Sequence, residues 1–141
     1  MKYYIILIVS LIFFSCKEEK SIYPWSKLTY QQALNLNTDK IIFLDFYSYN
    51  WSACKRLEVE TLNDPKILEL TEKYLIPIKL DAWFDSTGQK LFEDFNGYAI
   101  PTLIFLNGKG EELDRVVGYR DIEDFLEILN NVLNNDDTLL I

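Results

Sequence analysis

Ile41-Ile42-Phe43-Leu44-Asp45-Phe46-Tyr47 runs into Ser48-Tyr49-Asn50-Trp51 and then Ser52-Ala53-Cys54-Lys55, and the reading of this stretch decides the fold. The first seven residues are apolar or aromatic except Asp45, the pattern of a strand buried on both faces. A helix is expected from about Ser52, broken near Asn63-Asp64-Pro65, where Asp64 can cap a second segment and Pro65 suits its first turn. Leu75 to Leu80 reads as the next strand.

Outward from this centre the pattern continues on both sides. Thr29 to Leu36 predicts a short helix with Leu28, Gln32 and Leu36 along one face. Gly88 to Phe95 predicts a helix with Leu91, Phe92 and Phe95 on one side. Thr102 to Leu106 and Leu113 to Val117 flank Asn107-Gly108-Lys109-Gly110, whose glycines can supply the positive φ angles of a hairpin turn. Asp121 is expected to cap a last helix that buries Ile122, Phe125, Leu126 and Leu129. This order is α/β: a small central mixed sheet, parallel at first and antiparallel at the end, with helices on both faces.

Composition narrows the chemistry. The chain has 141 residues, 14 Lys+Arg against 22 Asp+Glu, and no histidine. Lack of imidazole excludes Ser-His-Asp and Cys-His catalytic pairs, a haem with an axial His, and zinc sites that need a His ligand. Two cysteines cannot build a four-thiolate metal cage, so neither a metal nor another cofactor is expected. A formal charge of -8 offers no basic surplus for a phosphate backbone, which argues against nucleic acid as a partner.

Residues 1–15 read as an export signal of the lipoprotein type. The run from Tyr3 to Phe14 is broken only by Ser10 and is shorter than the roughly 20 apolar residues a spanning helix needs. Ser15-Cys16 resembles the end of a bacterial lipobox, although Phe13 and Phe14 depart from its usual residues. The resemblance implies cleavage before Cys16 and lipidation of that cysteine; the competing reading is an uncleaved anchor with Cys16 an ordinary thiol. Residues 16–21 are a charged tether, residues 22–134 one domain, and residues 135–141 a tail. Lys17-Glu18-Glu19 is similar to a surface-display signal of some Gram-negative lipoproteins, and equally reads as plain tether. Together these features imply the cell envelope of a Gram-negative-type bacterium, with a lipid anchor in the outer membrane on its periplasmic or surface face. Cys54 then lies in an oxidising compartment.

Asp45 at the end of the long strand, Cys54-Lys55 in the next helix, and Ile100-Pro101-Thr102 before the later strand together resemble the thioredoxin superfamily. Phe43 to Leu68 is most similar to the C-terminal thioredoxin-like domain of thiol:disulfide interchange proteins. Its pattern there is Asp-x-Tyr-x-x-Trp-Cys-x-x-Cys-Lys followed by an Asp-Pro helix start. Ile22-Tyr23-Pro24-Trp25 and Tyr30 to Leu34 fit the start of that domain, so the resemblance covers about 110 residues. It implies a thioredoxin-like fold, thiol-disulfide oxidoreductase ancestry, and a cis bond before Pro101 that frees the backbone of Ile100 to pair with an extended chain.

One position departs from the pattern. Asp45 and Cys54 are nine positions apart, the family's spacing between its buried aspartate and its second cysteine. The first cysteine's place, three before Cys54, is then Trp51; if Trp51 is aligned with the family tryptophan instead, Ser52 stands there. Either register removes the attacking thiol, whose thiolate opens a disulfide that the second thiol resolves. Dithiol turnover is therefore disfavoured. The implied function is docking of an extended polypeptide or a redox partner by Trp51, Cys54, Ile100 and Pro101, with Ser52 a further contact, Trp51 exposed and Tyr49 and Tyr47 widening the surface. The alternative is a one-thiol oxidoreductase of envelope redox homeostasis in which Cys54 forms mixed disulfides and Asp45 accepts its proton. For Cys54 the reading as a small buried hydrophobe stands slightly ahead, and for Asp45 that of a strand-end carboxylate remains open.

Overall fold

The computed structural model describes residues 21–135, so the expected signal peptide, Cys16, nearly all of the expected tether and most of the expected tail lie outside the described residues. No helix among the described residues is long and apolar enough to cross a membrane.

Strand β1, Ile41–Tyr47, lies at the centre because six of its seven residues are buried. It pairs in parallel with β2, Leu75–Asp81, and antiparallel with β3, Thr102–Leu106, which pairs antiparallel with β4, Glu112–Val117. The order is β2-β1-β3-β4, the mixed sheet expected. Alternation along β1 divides the core. Ile41 and Phe43 pack in one cluster with Leu57, Ile67, Phe125 and Leu129, whereas Ile42, Leu44 and Phe46 face Ala33, Leu91 and Phe92. Phe43 stacks on Phe105 at 4.9 Å between ring centres and meets Phe125 edge-on at 6.0 Å. Each such fully buried ring contributes about 1.5–3 kcal/mol.

Helices α1 (Tyr30–Leu34) and α4 (Ser86–Asp94) supply the layer on the Ile42 side. Helices α3 (Pro65–Tyr74) and α5 (Ile122–Asn135), with a π-helical segment Leu57–Leu62 that continues α2 (Ser52–Arg56), cover the Phe43 side. Asp64 caps α3, accepting from the N–H groups of Lys66 and Ile67 at 2.9 and 3.2 Å, and Pro65 opens the helix as its sequence predicts.

Four local expectations are corrected. Gln32 is not on the apolar face of α1: its side chain accepts from Thr29 N–H at 2.8 Å, closing a capping box, and Leu36 is exposed while Ala33 is buried. Helix α4 starts at Ser86 instead of Gly88, because Asp85 accepts from Gly88 N–H at 2.7 Å and so caps it. In the β3–β4 hairpin only Gly110, at φ 84°, uses the left-handed region; a Cβ at Gly108 would lie 2.0 Å from the Thr38 carbonyl oxygen, so that glycine serves close approach. Ile122 is exposed, and the buried stripe of α5 is Phe125, Leu129 and Val132. Helix α5 also takes in Asn135, the first residue assigned to the tail.

Gly88 fixes one boundary of the site. A Cβ there would lie 2.1 Å from the Asp81 carbonyl oxygen, so α4 sits directly on the end of β2 and holds the intervening Trp83-Phe84 turn in place.

Candidate functional site

Burial along β1 carries Asp45 into the interior, where it is 3% exposed and its Oδ1 has no hydrogen-bond partner. Burial raises its carboxyl to about 7; the Lys79 charge opposes that rise, and Glu58 adds to it. Lys79 is the β2 neighbour of Asp45 in the strand register. Its ammonium group pairs with Glu58, 4.3 Å from the centre of the Tyr47 ring and 5.3 Å from that of Trp25. Trp25 donates its indole N–H to Glu58 Oε1 at 3.1 Å, and Ser21 bonds to the same carboxylate. Burial works to raise Glu58, but these donors outweigh it and hold the carboxyl below its usual range.

Trp51 is the N-cap of α2 with extended backbone and no side-chain cap bond; its carbonyl accepts from the N–H of Cys54 at 3.1 Å and of Lys55 at 3.2 Å. Ser52, in the first turn, is exposed. Cys54 lies inside the helix, 6% exposed, and is the one cysteine among the described residues. Burial, the largest influence, pushes its thiol up to about 11; a backbone hydrogen bond at Ser48 opposes this and Asp45 adds to it. About one molecule in ten thousand then carries the thiolate at pH 7, where a reactive cysteine needs a lowered pKa.

The peptide bond from Ile100 to Pro101 is cis. Pro101 itself is buried, and its carbonyl accepts from Gly118 N–H at 2.8 Å. The Ala99 carbonyl takes the Thr102 hydroxyl at 2.5 Å, and the backbone of Ile100 enters neither bond.

These residues form two neighbouring cavities. One, of about 490 Å³, is an aromatic groove lined by Ser48, Trp51, Trp83, Phe84, Tyr98 and Ile100, among others. The other, of about 240 Å³, is polar and lined by Tyr47, Tyr49, Cys54, Lys55, Glu58 and Lys79, with Ser48 shared between the two. The structure thus brings Trp51 to Ile100 and places Cys54 on the second cavity. Tyr49 lines the polar cavity and packs on Phe84 at 4.8 Å, and Tyr47 lies under Lys79, so the three aromatic residues of the β1–α2 stretch do not share one surface.

Sequence reasoning missed Glu58, Lys79, Trp83, Phe84 and Tyr98. A lone lysine within the apolar run Leu75-Ile76-Pro77-Ile78-Lys79-Leu80 and the adjacent aromatics Trp83-Phe84 after a strand were the available signals.

The raised Asp45 carboxyl has a stability consequence with a definite sign. Between the unfolded value near 3.8 and the folded value of about 7, the native state holds a proton that the unfolded chain releases. Asp45's contribution is therefore fully present below the unfolded pKa, and stability falls as pH rises through this window. Asp45→Asn should remove that slope, gaining up to about 4 kcal/mol on the wild type between pH 4 and pH 8 in urea titrations. Parallel pH profiles for the two proteins would contradict the assignment.

Comparison with known proteins agrees with this geometry. The thiol:disulfide interchange protein DsbD of Photorhabdus laumondii is 30% identical over 116 residues, 80% of this chain and 20% of that protein. The chain spans about a fifth of the length of the curated relatives it matches. Among solved structures, a thioredoxin from Thermus thermophilus superposes with a TM-score of 0.71 at 24% identity, covering 84% of this chain and 92% of that one. The oxidised DsbD C-terminal domain of Neisseria meningitidis gives 0.57 at 24% identity, covering 70% and 84%. Both show the shared fold. The family profile described as a thioredoxin-like domain matches residues 30–133, and the chain belongs to that family, as a member whose first active-site cysteine is replaced and whose Cys54 remains.

Proposed function

We propose that the chain is an exported, lipid-anchored thioredoxin-like protein that docks an extended polypeptide or a redox partner, without turning over disulfides itself. The observation that carries this reading is the pairing of an un-ionised, buried Cys54 with an open groove beside Ile100. Trp51 occupies the helix start where a nucleophilic thiol would feel the positive end of the helix, and an indole cannot attack sulfur. Docking needs only the groove: an extended chain pairing with the backbone of Ile100 and laying side chains against Trp51 and Tyr98 gains affinity without covalent chemistry. Ser52, exposed one residue into the helix, is a further contact, and buried Pro101 acts by shaping the backbone at Ile100.

The single-thiol alternative draws no support from the site. A thiol raised to about 11 attacks disulfides slowly at neutral pH, and Asp45, at about 7, remains roughly four orders of magnitude too weak a base to hold the thiol ionised. Cys54 and Asp45 are therefore assigned to packing and to the local charge balance, with Cys54 open to slow oxidation alone.

Export and anchoring rest on residues 1–16: the short apolar run, Ser15-Cys16, and the charged stretch after it. Cleavage before Cys16 and lipidation place the protein in the cell envelope of a Gram-negative-type bacterium, at the outer membrane on its periplasmic or surface face.

Two experiments test this. In insulin reduction with dithiothreitol the wild type should match the reagent alone, while Trp51→Cys, which creates a Cys-x-x-Cys pair, should exceed the wild type by at least about tenfold; wild-type turnover comparable to a thioredoxin overturns the reading. Mass spectrometry of the mature protein should find Cys16 as the N-terminus with a thioether-linked diacylglycerol. A retained Met1 with an unmodified Cys16 would refute the anchor.

A further inference from the structure

We infer that the aromatic groove selects an extended polypeptide carrying a lysine or arginine side chain, taken up by cation–π contact; this rests on the docking reading above and names the class of its ligand. Exposure of the rings is the first observation. Trp51 is 56% exposed, Trp83 66%, Phe84 55% and Tyr98 78%, and all four line one cavity. Large exposed aromatics gathered in one place mark an interaction surface, whereas single ones need no explanation.

Charge is the second observation. No residue lining the groove is charged. The turn that carries Trp83 and Phe84 is bracketed by two carboxylates, Asp81 and Asp85. Asp81 Oδ1 accepts from the N–H groups of Trp83 and Phe84 at 2.8 and 2.9 Å, and Asp85 Oδ2 accepts from Gly88 N–H at 2.7 Å. Backbone N–H groups hold these carboxylates in place without neutralising them. Tyr47, on the neighbouring cavity, is raised first by burial and further by Asp81, Asp45, Glu58 and Asp85, so the carboxylates at both ends of the Trp83-Phe84 turn act on their surroundings as negative charge. The basic groups nearby are engaged elsewhere: Lys55 and Lys79 line the other cavity, Lys79 paired with Glu58, and Arg115, within electrostatic reach of Tyr98, pairs with Glu112 at 2.7 Å.

An apolar ligand would use the rings and ignore the field; an anionic one is repelled by it and by the net charge of -8. A cation uses both, because the faces of Trp, Tyr and Phe attract positive charge and the carboxylates add a longer-range pull. The fit is therefore to an aliphatic stem along the rings with its charged head toward Asp81 and Asp85.

The test uses the full-length chain and three cysteine-free ten-residue peptides identical except for Lys, Gln or Glu at one position, with affinity read by calorimetry. The Lys peptide should bind at least about fivefold more tightly than the Gln peptide, and the Glu peptide most weakly. In an Asp81→Asn, Asp85→Asn double variant, which keeps the acceptor oxygens and the cap, the Lys advantage should fall to within about twofold with the Gln affinity unchanged. Trp83→Ser should weaken all three. Equal affinities for the three peptides would overturn the cation inference and leave the docking reading standing; absence of any peptide binding would overturn both. Self-association, or uptake by phosphatidylcholine vesicles, that Trp83→Ser abolishes would identify a second copy or a lipid surface as the occupant and overturn the proposal.

Discussion

Burial of the Asp45 carboxyl is the constraint on which the rest of the site depends. Strand β1 is enclosed on both faces, so a carboxylate at the fifth of its seven positions cannot reach water, and ionising it requires a countercharge. Lys79 arrives through the parallel register of β2, but its ammonium group is engaged by Glu58, and that carboxylate is in turn held by Trp25 and Ser21. Two strands, the π-helical segment and the segment that leads into the domain thus meet on one charge balance. Its outcome is a carboxyl that titrates near neutrality beside a thiol that does not.

The consequence for chemistry lies in the division of the surface. In a working dithiol site the exposed thiol stands at the helix start next to the peptide groove. Here Trp51 is the N-cap of α2 and lines the aromatic groove, whereas Cys54 opens on a separate polar cavity. The indole of Trp51 joins Trp83, Phe84 and Tyr98 in the groove's aromatic lining. On the function proposed above, an indole at this position contributes contact area to the groove and no attacking sulfur.

Much of this was legible in the chain. The apolar run from Ile41, the Asp64-Pro65 helix start and the turn around Gly110 are signals carried by a few adjacent residues, and each formed as read. Gln32 was misread because its capping bond to Thr29 and its helical spacing from Leu28 and Leu36 make the same pattern at sequence level. Lys79 was invisible as a partner of Asp45 because strand register joins positions far apart in the chain and depends on packing across the sheet. Trp83, Phe84 and Tyr98 escaped for a similar reason: with Trp51 they come from three connections, and only the fold brings their rings together.

The central claim is that Cys54 is a buried, un-ionised thiol, and its most direct measurement is the pH dependence of alkylation at Cys54 in the folded protein, read by peptide mass mapping. The account predicts slow labelling at neutral pH and a rate that rises toward a midpoint of about 11. Rapid labelling at pH 7, with a midpoint below the ordinary cysteine value of about 8.5, would contradict it.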